Sequence, residues 1–235
     1  MQVWRFAWIG YGLPSFLVCL YGYAGLVTKP VFIYASQPGR ATLDRDQEGG
    51  NPFASAVIQL LGRRSITFAT FQTDLTALTK QKSKGFQDSD VVGGGGLSTW
   101  RLLPKPPTEK WVALVLVFSD YSAFSALPGA KRDLHRVANA LHGVGFEVWA
   151  ISDPDQATLS KVMRSFADLS TRSDVSVLYA TGHGGEVHGA TYLLPGYSRS
   201  YLDRPVQLST LASILRARRA NLVFYGGCRN EPLQK

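Results

Sequence analysis

Residues 175–184 read VSVLYATGHG, and residues 221–232 read NLVFYGGCRNEP. Each opens on β-branched, aromatic and aliphatic residues with no polar alternation, and each breaks at glycine. That is the pattern of a short strand buried on both faces. His183 and Cys228 therefore stand just past the ends of two predicted strands. Outward from these, Val112–Phe118 is a third apolar run, and Gly145–Ile151 is a fourth. Amphipathic stretches lie between them. Lys131–His142 turns Leu134, Val137, Ala138 and Leu141 to one face. The stretch from Asp155 or Gln156 to Leu169 does the same with Leu159, Val162, Met163 and Phe166, and Leu208–Arg218 predicts a further helix. Strands alternating with helices imply an α/β fold with a parallel sheet covered on both faces. Ligands of such sheets sit at the carboxyl ends of the strands. Those ends are Ser119–Asp120, Thr181–Gly184 and Gly226–Cys228.

The first half follows the same grammar. Val31–Ala35 predicts a buried strand, and polar Asp44–Gly50 a surface loop. Asn51 caps a helix that Pro52 begins, with Phe53, Ala56, Val57, Leu60 and Leu61 inward. Thr67–Lys80 predicts a second helix on Phe68, Phe71, Leu75 and Leu78. Gly93–Gly96 breaks all periodicity, and Pro104, Pro106 and Pro107 follow, so 93–110 reads as a linker, flexible and then stiffer.

The chain has 235 residues, 45% hydrophobic and 18% charged. One domain with a substantial core follows, and a wholly disordered chain is excluded. The net charge of +8 reflects scarce acids, and the longest basic run is only Arg216–Arg219. No nucleic-acid surface is read from it. Two cysteines, Cys19 and Cys228, exclude a disulfide scaffold and a four-cysteine zinc site, and no metal site is predicted. Phe6–Thr28 carries no charge and is long enough to span a bilayer, but five Gly and Pro interrupt it. Residues 1–28 read as a membrane or signal segment, or as an apolar arm packed on the domain. The expected location is the cytoplasm, with or without a membrane anchor from this segment.

A cysteine nucleophile needs a thiolate, and a nearby histidine takes or stabilises its proton. Cys228 and His183 are the pair that the predicted sheet brings to one rim. Backbone amides near Gly184 and at Cys228 would form an oxyanion hole. His135 and His142 fall on a helix surface, and His188 in a loop or strand start.

The two opening blocks resemble the catalytic blocks of the caspase-like cysteine peptidases (clan CD, family C14), in their bacterial and metacaspase branch. Residues 127–133, LPGAKRD, with Ala138, Leu141 and 145–148, GFEV, resemble the family's first loop and helix. Residues 192–195, YLLP, resemble the strand after its histidine. Residues 31–39, 41–44 and 50–56 resemble the part that in the family follows the cysteine. Here it comes first. The resemblance implies a circularly permuted caspase-hemoglobinase-like three-layer sandwich with a mostly parallel sheet of about six strands. Residues 29–92 would be the small-subunit part and 111–235 the catalytic part, with 29–235 one folded domain. It also implies a cysteine endopeptidase acting on proteins or peptides through a Cys228–His183 dyad, with no required cofactor. Asp133 aligns with an acid of the family's basic-residue pocket, while the second acid is replaced by Gly226. Asp133 is equally readable as an acid near a helix start. Asp44, Asp46 and Glu48 stand where some relatives bind calcium, or form a plain acidic loop. The competing expectation is a catalytically silent caspase-like interaction module.

Overall fold

A computed structural model describes residues 28–231. The readings of residues 1–27, Cys19 among them, lie outside these residues. In chain order the elements are β1 (Val31–Tyr34), α1 (Pro52–Leu61), β2 (Ile66–Thr67), α2 (Phe68–Lys82), β3 (Asp90–Val92) and β4 (Arg101–Leu103). There follow β5 (Trp111–Val117), α3 (Pro128–Gly143), β6 (Glu147–Ser152), α4 (Gln156–Thr171) and β7 (Val175–Thr181). The last are β8 (Gly184–Val187), β9 (Ala190–Leu193), β10 (Val206–Gln207), α5 (Leu208–Ala212) and β11 (Ala220–Tyr225).

Six strands form the central sheet in the order β3-β1-β11-β7-β5-β6. All neighbours run parallel except the edge strand β3, which pairs antiparallel with β1. Alternation within each strand divides the core. Val115, Val117, Val177, Tyr179, Leu222 and Phe224 face α1, α2 and α3, where Phe53, Leu60, Phe71, Leu134 and Val137 cover them. Leu114, Leu116, Leu178, Ala180, Val223 and Tyr225 face α4 and α5, against Leu159, Phe166, Leu208 and Leu211. The result is the three-layer α/β sandwich with six mostly parallel strands that the resemblance implies. Burying both faces removes any reason for polar alternation, which is why β5 and β7 were legible as plain apolar runs.

Helix starts follow the sequence. Asn51 caps α1, its side chain accepting from Phe53 N–H, and Pro52 opens the first turn. Thr67 and Asp155 cap α2 and α4 in the same way. Three readings need correction. The expected Leu208–Arg218 helix ends at Ala212. Beyond it Ser213 Oγ donates to Thr210 O, Ser170 Oγ accepts from Arg216 N–H, and Asn221 Oδ1 accepts from Ala217 N–H. Side chains take the backbone groups that another helical turn would need. The 93–110 stretch is not structureless: a 3-10 turn covers Gly95–Leu97, and β4 pairs antiparallel with β2. Strands of two and three residues fall below any readable period. Residues 90–92 were likewise unread, and they form β3.

The chain runs from β5 outward to β6 and then back across to β7. Ligand crevices of open α/β sheets form at such a reversal, past the carboxyl ends of the strands.

Candidate active site

At that rim β7 ends in Thr181, and His183 follows two residues later. The His183 N–H donates to the Tyr121 hydroxyl at 2.9 Å, and its ring lies 4.6 Å from the Tyr121 ring centre, edge to face. Burial holds the Tyr121 hydroxyl far above its ordinary range, so it stays protonated. It donates to Leu194 O and Phe118 O, tying the histidine's backbone to the residue after β5 and the residue after β9. His183 Nε2 lies 2.8 Å from Ser125 O. A carbonyl only accepts, so Nε2 carries the hydrogen and Nδ1 is the nitrogen left to exchange a proton.

Cys228 stands three residues beyond β11, half-buried and free. Its sulfur has two partners from the loop after β1: Thr42 N–H donates to it at 3.3 Å, and Thr42 Oγ lies at 3.4 Å. His183 and Cys228 line one cavity of about 120 Å³, together with Thr42, Asp44, Asn51, Thr181 and Gly226.

Gly184 sits within β8 opposite Leu193. Leu194 N–H donates to His183 O, so the hydrogen-bonded pair is 183/194 and the Gly184 N–H points to the other side of its strand. On that side Glu186 N–H donates to Asn230 O. The Gly184 amide thus faces the segment that carries Cys228. Among the described residues the Cys228 N–H has no hydrogen-bond partner. A Cβ on Gly184 would sit 1.8 Å from the Tyr225 hydroxyl and 2.6 Å from Tyr192 O, so only glycine permits this approach.

Asp133 is fully buried. Its carboxylate accepts from Asn51 N–H and from Arg136, both at 2.9 Å. Burial raises its pKa to about 7, against the opposing pull of the Asn51 N–H and Arg136. It does not line the cavity but stands behind Asn51, whose side-chain amide donates to Leu43 O and Gly226 O. Gly226 does line the cavity. A Cβ there would come within 2.8 Å of Thr181 Oγ, so a side chain at this position requires Thr181 to shift.

The acid that reaches the cavity wall is Asp44. Its two oxygens accept from Gly129 N–H and Ala130 N–H, at 2.9 and 3.0 Å, at the start of α3. The sequence places it in a loop, as a calcium-site acid or a plain acidic residue, and not in the substrate pocket. The other two acids of that loop are engaged elsewhere. Asp46 accepts from Glu48 N–H, and Glu48 pairs with Lys82 and Arg136. Among the described residues no group of three or more His, Cys, Asp or Glu side chains is placed to hold a metal ion. Thr42, Asp44, Asn51 and Ser125 were unread as site residues, because their roles come from contacts across up to 186 residues of chain.

A family model for the caspase domain matches residues 110–235. No curated protein matches the chain.

Proposed function

The chain belongs to the caspase-domain peptidase family, and from that membership we propose that it is a cysteine endopeptidase with Cys228 as nucleophile and His183 as acid–base partner. The observation that carries this reading is the shared cavity in which the only cysteine and the only half-buried histidine among the described residues both stand. A peptidase domain acts on proteins or peptides, and the cavity is where a substrate side chain would enter.

In the proposed mechanism His183 Nδ1 takes the thiol proton, with Nε2–H held by Ser125 O. The Cys228 thiolate adds to the peptide carbonyl carbon, and the Gly184 and Cys228 amides donate to the developing oxyanion. Nδ1 then delivers its proton to the leaving nitrogen, the C–N bond breaks, and water hydrolyses the thioester. Thr42 positions the sulfur during these steps.

Specificity for a basic residue before the scissile bond is part of the proposal. Asp44 on the cavity wall is the acid that would draw a basic side chain, since Asp133 stands behind the wall paired with Arg136, and without an acid at Gly226 the bidentate fit that arginine prefers is reduced. The permuted order is proposed on the same footing. Strand β1 lies beside β11, and the loop between β1 and α1 brings Thr42, Asp44 and Asn51 to Cys228. In the family's usual order this segment would come after the cysteine.

Purified chain is expected to cleave fluorogenic peptides with Lys or Arg before the reporter, and a glutamine analogue at least tenfold less. Cys228→Ala should reduce turnover by 1,000-fold or more while far-ultraviolet circular dichroism stays unchanged. Turnover in Cys228→Ala equal to that of the wild type would overturn the assignment, and no turnover by the wild type would leave the interaction-module reading.

A further inference from the structure

A second cavity, of about 180 Å³, opens beside the first. Val187, Tyr192, Leu194, Tyr201, Leu202 and Pro205 line it, together with Gly185. None of these described lining residues is charged. Leu202 is 72% exposed, the most open of the three exposed large hydrophobic side chains among the described residues.

The cavity adjoins the catalytic rim. Gly185 directly follows the Gly184 amide. The Tyr225 hydroxyl donates both to Tyr192 O on the cavity wall, at 2.9 Å, and to Cys228 O, at 3.3 Å. An aromatic row joins it to the histidine: Tyr201 lies 5.1 Å from Phe124, and Phe124 lies 5.5 Å from His183. Burial, and then the nearby Cys228 sulfur, raise the pKa of the Tyr201 hydroxyl.

Which part of a substrate passes here follows from the chemistry. In acyl transfer the imidazole protonates the leaving nitrogen. The leaving fragment therefore crosses the histidine's side of the nucleophile. The acyl fragment keeps its side chain in the cavity of Asp44 and Gly226. The apolar cavity adjoins the imidazole's aromatic neighbours and Gly185, and stands apart from Asp44 and Asn51.

We propose that this apolar cavity is a subsite for a large aliphatic side chain on the leaving side of the scissile bond, so that the enzyme selects peptides with a basic residue before the cut and an apolar one after it. The proposal rests on the peptidase reading above. A hydrophobic pocket that gains or loses a whole aliphatic side chain discriminates by about tenfold or more.

The test uses internally quenched peptides that keep Lys before the scissile bond and carry Leu or Asp after it, with a Lys coumarin amide that has no residue after the bond. Full-length protein should cleave the Leu peptide about tenfold better than the Asp peptide, in kcat/KM. Leu202→Asp should lower kcat/KM for the Leu peptide about tenfold relative to the coumarin amide. Equal cleavage of both peptides by the wild type, or a variant that slows the Leu peptide and coumarin amide in parallel, would overturn the subsite. Binding of both peptides to Cys228→Ala by calorimetry reads the cavity without chemistry. There the Leu peptide should bind about tenfold tighter, and equal affinity would overturn the subsite. Discrimination in binding with no turnover by the wild type would instead sink the peptidase reading and leave the cavity's preference standing.

Discussion

Asp133 shows how much one side chain can depend on its surroundings. The sheet and α3 exclude water from it, and its two partners supply only part of what hydration would. Its pKa rises from an ordinary 3.8 to about 7, with burial as the leading cause. Between those values the folded chain holds a proton that the unfolded chain has released, so stability falls as pH rises from about 4 to about 7. Below that window both states are protonated, and above it both are ionised. In Asp133→Asn this contribution disappears. Urea unfolding across pH 4–8 should show the wild type losing roughly 2–4 kcal/mol relative to the variant over the window. Curves that stay parallel would mean that the carboxylate is ionised throughout. None of this was visible in the sequence, where Asp133 is simply an acid near the start of a helix. His183 and Cys228 were legible because each follows an apolar run and a glycine. Thr42 and Ser125 were not, since nothing local marks a threonine or a carbonyl as a partner of either.

The segment after β11 is held by the residue next to the nucleophile. Arg229 is buried. It pairs with Asp90 of β3 and Glu186 of β8, both at 2.8 Å, and its guanidinium lies 3.9 Å from the centre of the Tyr34 ring in β1. One side chain thus ties three strands to the backbone that carries Cys228. Removing it would leave two carboxylates without their counter-charge. Arg229→Ala is expected to cost roughly 3–5 kcal/mol. Arg229→Lys should recover less than half of that, because an ammonium cannot reach both acids through separate planar nitrogens. Thermal unfolding of the two variants checks this, and full rescue by lysine would reduce the contact to simple charge. Elements with long apolar runs, such as β5, β7 and β11, were read with their approximate ends. Strand β3 was missed because it is only three residues long and its partners, β1 for all three and Arg229 for Asp90, are supplied only by tertiary structure. The end of α5 was missed because Ser170, distant in sequence, and Asn221, past the expected helix, take the backbone groups at Arg216 and Ala217.

At the scale of the whole molecule the sheet is completed by strands from opposite ends of the described chain, Val31 pairing with Leu222. The proposed permutation means that no chain segment leads from Cys228 directly into Val31, so the joint that many caspase-like enzymes cut on activation does not exist in this order. Freshly purified intact chain is therefore expected to turn over substrate without a lag. Electrophoresis sampled along the progress curve should show full-length protein while product already accumulates linearly. A lag that ends only as fragments appear would contradict the proposal.

The same pairing sets a timetable for synthesis. A ribosome adds about 5–20 residues per second, so Val31 waits roughly 10–40 s before its neighbour Leu222 has been made. Over that interval β1 has only the edge strand β3 to pair with, and Thr42 lacks the Cys228 sulfur it contacts. Closing the sheet also spans nearly the whole chain, which makes it a slow step. The nucleophile and the pocket that would serve it thus come together only after almost everything else has folded, and nascent or truncated chains carry neither in working form.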